Sequence, residues 1–236
     1  MKVPIGHKAE IEAKIAEAVN SRAQTDEIIK GWWEHLPALG VIAGLSVLLS
    51  LLQLVPGAGG FILGYILMYT AFFCITAVLN FKLIRRLRAH FERENIICQE
   101  LITTVSDKEK AKHIQALADD AKMTERLPSS LFSVMSVLPL VGFIFEFYYL
   151  YHLTRASAVH QSCWDSLLQE YSRMNQSHAA YCNSGKSDVH RHSYAFWAIA
   201  SLIFFFPLAL WYRFLIRDMN EHFHRQWAWE DQLLKG

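Results

Sequence analysis

Three histidines recur at the same place in one short pattern. Leu83-Ile84-Arg85 leads to His90, Leu153-Thr154-Arg155 to His160 and Leu215-Ile216-Arg217 to His222, each copy following directly on an apolar block. Imidazole titrates near neutrality and is the commonest metal ligand, so three of them meeting at one level would form a metal or pH-sensitive layer. Within one copy, Arg and His cannot share a site. Five helical positions turn them about 140° apart and separate them by about 7 Å along the axis. Convergence of His90, His160 and His222 therefore requires the three copies to bundle in parallel. The alternative is a duplicated membrane boundary, with each Arg snorkelling at headgroup depth and each His simply packed or solvated.

Two other groups have chemical potential. Glu146 is the one acid inside the apolar blocks, and an intramembrane carboxylate is by default a candidate for proton transfer or ion pairing. His178, Cys182, His190 and His192 form an H-x3-C-x7-H-x-H arrangement of nitrogen and sulfur donors that suits zinc or copper. Asn175-Gln176-Ser177 is a glycosylation sequon, meaningful only on a lumenal face. There is no Gly-rich phosphate loop, no G-x-S-x-G, no H-E-x-x-H and no paired carboxylates in apolar surroundings. No enzymatic activity and no cofactor are expected.

The elements that carry these residues belong to a membrane. Residues 36–81 and 193–212 contain no charged side chain, and residues 127–153 contain Glu146 alone. These blocks of 46, 20 and 27 residues meet the roughly 20-residue requirement for a span. Ten of the 23 Lys and Arg fall in residues 82–126, which the positive-inside tendency assigns to the cytoplasm. Beside a membrane exit, such a basic stripe implies anionic lipid headgroups as partners rather than nucleic acid. Arg85, Arg86, Arg88, Arg155 and Arg217 are the expected headgroup anchors, joined by the aromatic pair Trp32-Trp33. The four cysteines show no paired spacing, and a disulfide framework is not expected.

Four regions follow. Residues 1–35 read as an amphipathic interfacial helix, with Ile11, Ile15, Ala18 and Val19 on one face, and Thr25-Asp26-Glu27 as a helix start. Residues 36–126 read as a hairpin turning at Pro56-Gly57-Ala58-Gly59-Gly60 and continuing as a long basic helix to about Val105. Its packing face, Ile84, Leu87, Phe91, Cys98 and Leu101, is interrupted at Glu94, and Ser106 with Glu109 forms a capping box. Residues 127–185 and 186–236 repeat the plan, broken near Pro139 and Pro207; each apolar block is either a shallow hairpin or one kinked span. Trp227 and Trp229 read as packing anchors of the last helix.

The apolar hairpin followed by Leu-x-Arg-x-x-x-x-His and an amphipathic tail resembles small prokaryotic membrane proteins known as domains of unknown function. The likeness rests on the three exits, including Tyr148-Tyr149-Leu150-Tyr151 before Arg155 and Trp211-Tyr212-Arg213 before Arg217. In layout the chain is also similar to reticulon-type proteins, which implies hairpins wedged into one leaflet. The expected fold is thus an all-α integral membrane protein, three repeated helical hairpins whose second helices extend into a cytoplasmic helical bundle. Its amino terminus would be cytoplasmic too. The expected function is membrane shaping or scaffolding, or a helical subunit of a larger assembly, homo-oligomeric or with membrane-complex partners. The alternative is a transporter or channel subunit using Glu146, or a metal-binding accessory membrane protein.

Overall fold

The computed structural model describes residues 5–55, 57–105, 107–124, 127–138, 141–174, 197, 199–200 and 205–234. Every regular element among them is an α-helix. In chain order these are α1 (Ile5–Asn20), α2 (Arg22–Thr25), α3 (Trp32–Leu54), α4 (Ala58–Thr104), α5 (Lys108–Thr124), α6 (Ser130–Met135), α7 (Gly142–Met174) and α8 (Phe205–Leu233).

Helices α3 and α4 form the first hairpin. Gly57 turns it with φ of +96°, a conformation that a Cβ disfavours. The two arms touch closely where Gly44 meets Met68 and Gly64 meets Leu48. A Cβ on either glycine would lie within 2.3 Å and 2.6 Å of those side chains, the small-residue packing typical of helices in lipid. Both arms are long and apolar enough to cross a membrane, and only 22% and 39% of their most apolar 18-residue windows is buried inside the protein. A soluble core helix would be mostly covered; here Leu39, Ile42, Leu49, Leu54, Ile62 and Ile66 face outward.

Three long helices then run side by side in one direction. Asn80 of α4, Glu146 of α7 and Tyr212 of α8 are bonded together. Farther along the same three helices His90, His160 and His222 meet, and beyond them Trp164 touches Trp229. Residue numbers rise together, so the helices are parallel. Their buried positions repeat with alternating steps of four and three: 76, 80, 83, 87, 90, 94, 97 and 101 on α4; 146, 150, 153, 157, 160, 164 and 167 on α7; 208, 212, 215, 219, 222, 226 and 229 on α8. That is the heptad seam of a parallel coiled coil. It also explains the repeated motif. Leu and His stand seven residues apart, so they occupy the same inward position one heptad apart, while Arg, two after the Leu, points out.

Several expectations change. Among the described residues the three hairpins reduce to one full hairpin and three parallel helices. In the second block a short α6 precedes the apolar start of α7, and the Ser133 hydroxyl of α6 donates to the Ala77 carbonyl at 2.7 Å; residues 186–196 of the third unit lie outside the described residues, as do Pro56 and Pro139. Thr25 and Asp26 end a helix rather than start one; the chain then crosses to α3 without helix. The apolar face of α1, expected at a lipid interface, is covered by protein: Ile11, Ile15, Ala18 and Val19 join Ile97, Cys98 and Leu101 of α4 in a second core with α5 and α7. Ser106 lies outside the described residues, and Asp107 caps α5 by accepting the Glu109 and Lys110 amides at 3.0 and 3.4 Å.

Candidate metal centre

At one level of the coil, His90, His160 and His222 point inward and their ring centroids are 5.3, 5.4 and 5.7 Å apart. The next inward position on α4 is Glu94, whose carboxylate reaches back into the triangle. Glu94 Oε1 lies 3.2 Å from His90 Nε2, and Oε2 lies 2.5 Å from His160 Nε2. One donor atom from each of the four residues falls within 4.8 Å of all the others, and all four residues are buried. A tetrahedral ion with bonds of about 2.0–2.1 Å sets its donors about 3.3 Å apart, so ring rotations of about an ångström close the set. Three imidazoles and one carboxylate match the ligands of zinc and other first-row divalent ions.

The first shell is held by a second. His90 Nδ1 lies 2.9 Å from Asp26 Oδ1, and this bond to a carboxylate places the proton on Nδ1 and aims the Nε2 lone pair at the cluster. Asp26 is itself fixed by Arg93 at 2.6 Å and by the Trp227 indole N–H at 2.8 Å. Arg93 continues to Glu230 at 2.6 Å. The irregular segment after Asp26 is tied to α8 by Asn220, which accepts from the Ile29 amide at 3.3 Å and donates to its carbonyl at 2.9 Å. The loop thus delivers a carboxylate from outside the three-helix coil to the back of His90.

The electrostatics suit a ligand set. Burial, followed by the neighbouring His90, His160, Arg225 and Arg93, holds the His222 imidazole well below its ordinary pKa, so it is neutral and free to ligate. Its Nε2 has no hydrogen-bond partner among the described residues, and the buried Glu94 carboxylate is turned onto the imidazole nitrogens of His90 and His160. Such groups in a native interior call for an explanation. Burial by itself would raise the Asp26 carboxyl, but His90, Arg93 and the Trp227 N–H outweigh it and hold that group below its usual value. A small cleft between α4, α5 and α7 is lined by Glu94 and His160 together with Cys98 and Cys163.

The other sequence candidates are distributed as follows. Arg85, Arg88, Arg155 and Arg217 are exposed. Arg85, Arg155 and Arg217 share one heptad level, about 7 Å before the histidines. Arg86, expected among the headgroup anchors, is instead buried: it donates to Asn220 Oδ1 at 2.6 Å and to the Glu27 carbonyl at 3.3 Å. Burial lowers its guanidinium to about 9, still protonated at neutral pH. Trp32 is exposed and stacks near Trp33, over which Lys82 Nζ lies at 4.9 Å. Glu146 is fully buried and bonded to Asn80 and Tyr212. His178, Cys182, His190 and His192, and the sequon Asn175-Gln176-Ser177, lie outside the described residues. Glu94, Asp26, Arg93 and Glu230 were not among the candidates from sequence. For Glu94 a signal was there, an acid on an otherwise apolar face; for Asp26 nothing local marks its role, because its partners are 64, 67 and 201 residues away. Compared with known proteins, the chain matches no protein-family model, no curated protein and no solved structure.

Proposed function

We propose that the protein is a membrane-embedded metal-binding protein that holds a divalent transition ion, zinc in the first instance, through His90, His160, His222 and Glu94. The observation that carries this reading is the closed set of four buried donors at one level of the coil, with the His222 Nε2 lacking a hydrogen bond and the Glu94 carboxylate turned onto His90 and His160. Four protein ligands fill a tetrahedral shell and leave no open position for a substrate, the pattern of a structural rather than a catalytic ion. The role is therefore non-enzymatic. An ion bound by one ligand from each long helix, plus Glu94, staples the bundle together, and in this way a scaffold role and a metal role coincide.

The bilayer is the principal partner. Helix α3 and the first half of α4 lie in it, and the exposed level of Arg85, Arg155 and Arg217 marks the anionic headgroup boundary. The metal centre then sits just beyond the boundary, on the side of the amino terminus and residues 82–126, which their basic character assigns to the cytoplasm. Elemental analysis of the full chain purified in detergent and dialysed against trace zinc tests the reading. Stoichiometric metal that is lost in His222→Ala and in Glu94→Gln is expected. Wild-type protein that stays metal-free when challenged in turn with zinc, copper, iron and manganese would overturn it. The cluster would then be a buried polar chain running from Asp26 through His90 to Glu94.

A further inference from the structure

About 15 Å along the bundle from the histidine layer, a second polar group is sealed inside the apolar part of the coil. Asn80, Glu146 and Tyr212 are all fully buried and touch one another in a ring. Asn80 Nδ2 lies 3.0 Å from Glu146 Oε2, the Tyr212 hydroxyl lies 2.5 Å from Asn80 Oδ1, and the same hydroxyl meets Glu146 Oε1. We propose that this ring is a proton-binding site in which Glu146 is a neutral carboxylic acid.

The argument is a count of hydrogens. Three contacts close the ring, and each needs one proton between its two heavy atoms. The Tyr212 hydroxyl supplies one and the Asn80 amide group supplies one. An ionised Glu146 supplies none, so one contact would set two oxygens against each other without a proton. Turning the Asn80 amide round does not help: its nitrogen then serves Tyr212, and its oxygen faces Glu146 Oε2 bare. A proton on Glu146 Oε1 completes the set, each member donating once and accepting once around the ring.

The surroundings agree. Thr76 of α4 and Ser136, which follows α6, are within hydrogen-bonding reach of the carboxyl; their hydroxyls donate to the carbonyls of Phe73 and Ser133 at 3.2 and 2.7 Å, and neither can supply the proton missing from the ring. Tyr149 spends its proton on the Asn80 carbonyl at 3.4 Å, and Ser133 spends its own on that of Ala77. No Lys, Arg or His is among these neighbours, so no cation pairs with a charge there, and a carboxylate without a counter-ion in the membrane is expensive. The bundle thus carries two separate cation sites, a metal centre outside the boundary and a proton inside it. The second stands independently of the first.

Infrared spectroscopy of the full chain at neutral pH tests the proposal. The wild type should show the C=O stretch of a protonated carboxyl, moving to lower frequency in heavy water, and the band should vanish in Glu146→Gln. That variant keeps the ring intact, because the glutamine amide donates where the acid did. Tyr212→Phe, which retains Glu146 and removes its acceptor, should shift the band to higher frequency and identifies it independently if Glu146→Gln fails to fold. A wild-type spectrum without a protonated carboxyl, or a band unaltered in both variants, overturns the proposal; Glu230→Gln separates any contribution from that buried acid.

Discussion

Replacing Asp26 by Asn should weaken metal binding without touching a ligand. In the wild type, Oδ1 faces His90 Nδ1 at 2.9 Å, while Oδ2 receives Arg93 at 2.6 Å and Trp227 at 2.8 Å. Asparagine has one oxygen to offer. It will go to the side with two donors, one of them charged, and the amide N–H groups will then face His90. His90 must accept there, which moves its proton to Nε2 and blocks the lone pair aimed at the cluster. Loss of such an outer-shell partner lowers metal affinity about 10- to 100-fold, or about 1.4–2.7 kcal/mol. The fold should survive, since Arg93 keeps Glu230 at 2.6 Å, at a cost in stability of about 1–3 kcal/mol. Competition against a zinc indicator gives the affinity, and long-range nitrogen–proton spectra of the metal-free protein give the tautomer. A folded Asp26→Asn protein with wild-type zinc affinity, or one whose His90 keeps its proton on Nδ1, would refute the reasoning.

Two further outcomes follow from the same geometry. His222 is held neutral in the folded state, whereas an unfolded histidine protonates below about pH 6.5. The unfolded chain therefore binds more protons there, and stability is lost as pH falls through that value, with a limiting slope of about 1.4 kcal/mol per pH unit. Denaturation of the metal-free protein between pH 5 and 7 should show this slope as the difference between wild type and His222→Leu; the opposite contribution of Glu230, which burial raises to about 7, cancels in that comparison. A difference independent of pH would contradict it. For topology, the parallel run of α4, α7 and α8 places their carboxyl ends together, with α1 packed beside them. Single cysteines at Glu12, Lys112 and Asp231, each in a background without native cysteines, should label from one face of oriented vesicles; labelling from opposite faces breaks the parallel arrangement.

What could be read from the sequence was governed by range. The helices and their lengths are local properties. A stretch without Gly or Pro after Gly64 predicts a helix to about Val105, and α4 ends at Thr104. The apolar arms of the first hairpin and the outward turn of Arg155 and Arg217 follow from composition and helical period alone. The level at which three helices meet is not local. Leu83 to His90, Leu153 to His160 and Leu215 to His222 each span seven residues, the heptad interval that sets all six side chains on one seam. The Arg-to-His interval of five hides that relation. Asp26 was beyond reach for a different reason. It reads as a helix start, and only the fold of the loop behind α8 shows that its carboxylate serves His90, Arg93 and Trp227.

The polar layer should also reveal itself by what it costs. His90, His160 and His222 occupy core positions where Leu83, Leu153 and Leu215 sit one heptad earlier. Burying imidazoles in an otherwise apolar seam opposes folding, and well-packed apolar substitutes for buried polar clusters are often neutral or stabilising by about 1–4 kcal/mol. The triple change His90→Leu, His160→Leu, His222→Leu removes the ligands and leaves a buried Glu94 that has lost its imidazole neighbours, so Glu94→Leu must accompany it. In the absence of metal this four-residue variant should be more stable than the wild type; with saturating zinc the order should reverse, because binding to the folded state alone adds about 4 kcal/mol when the ion is at a thousand times its dissociation constant. Melting curves of both proteins, with chelator and with zinc, read the two signs directly. If histidines and Glu94 serve only packing, the apolar variant will be less stable in both conditions and zinc will move neither curve.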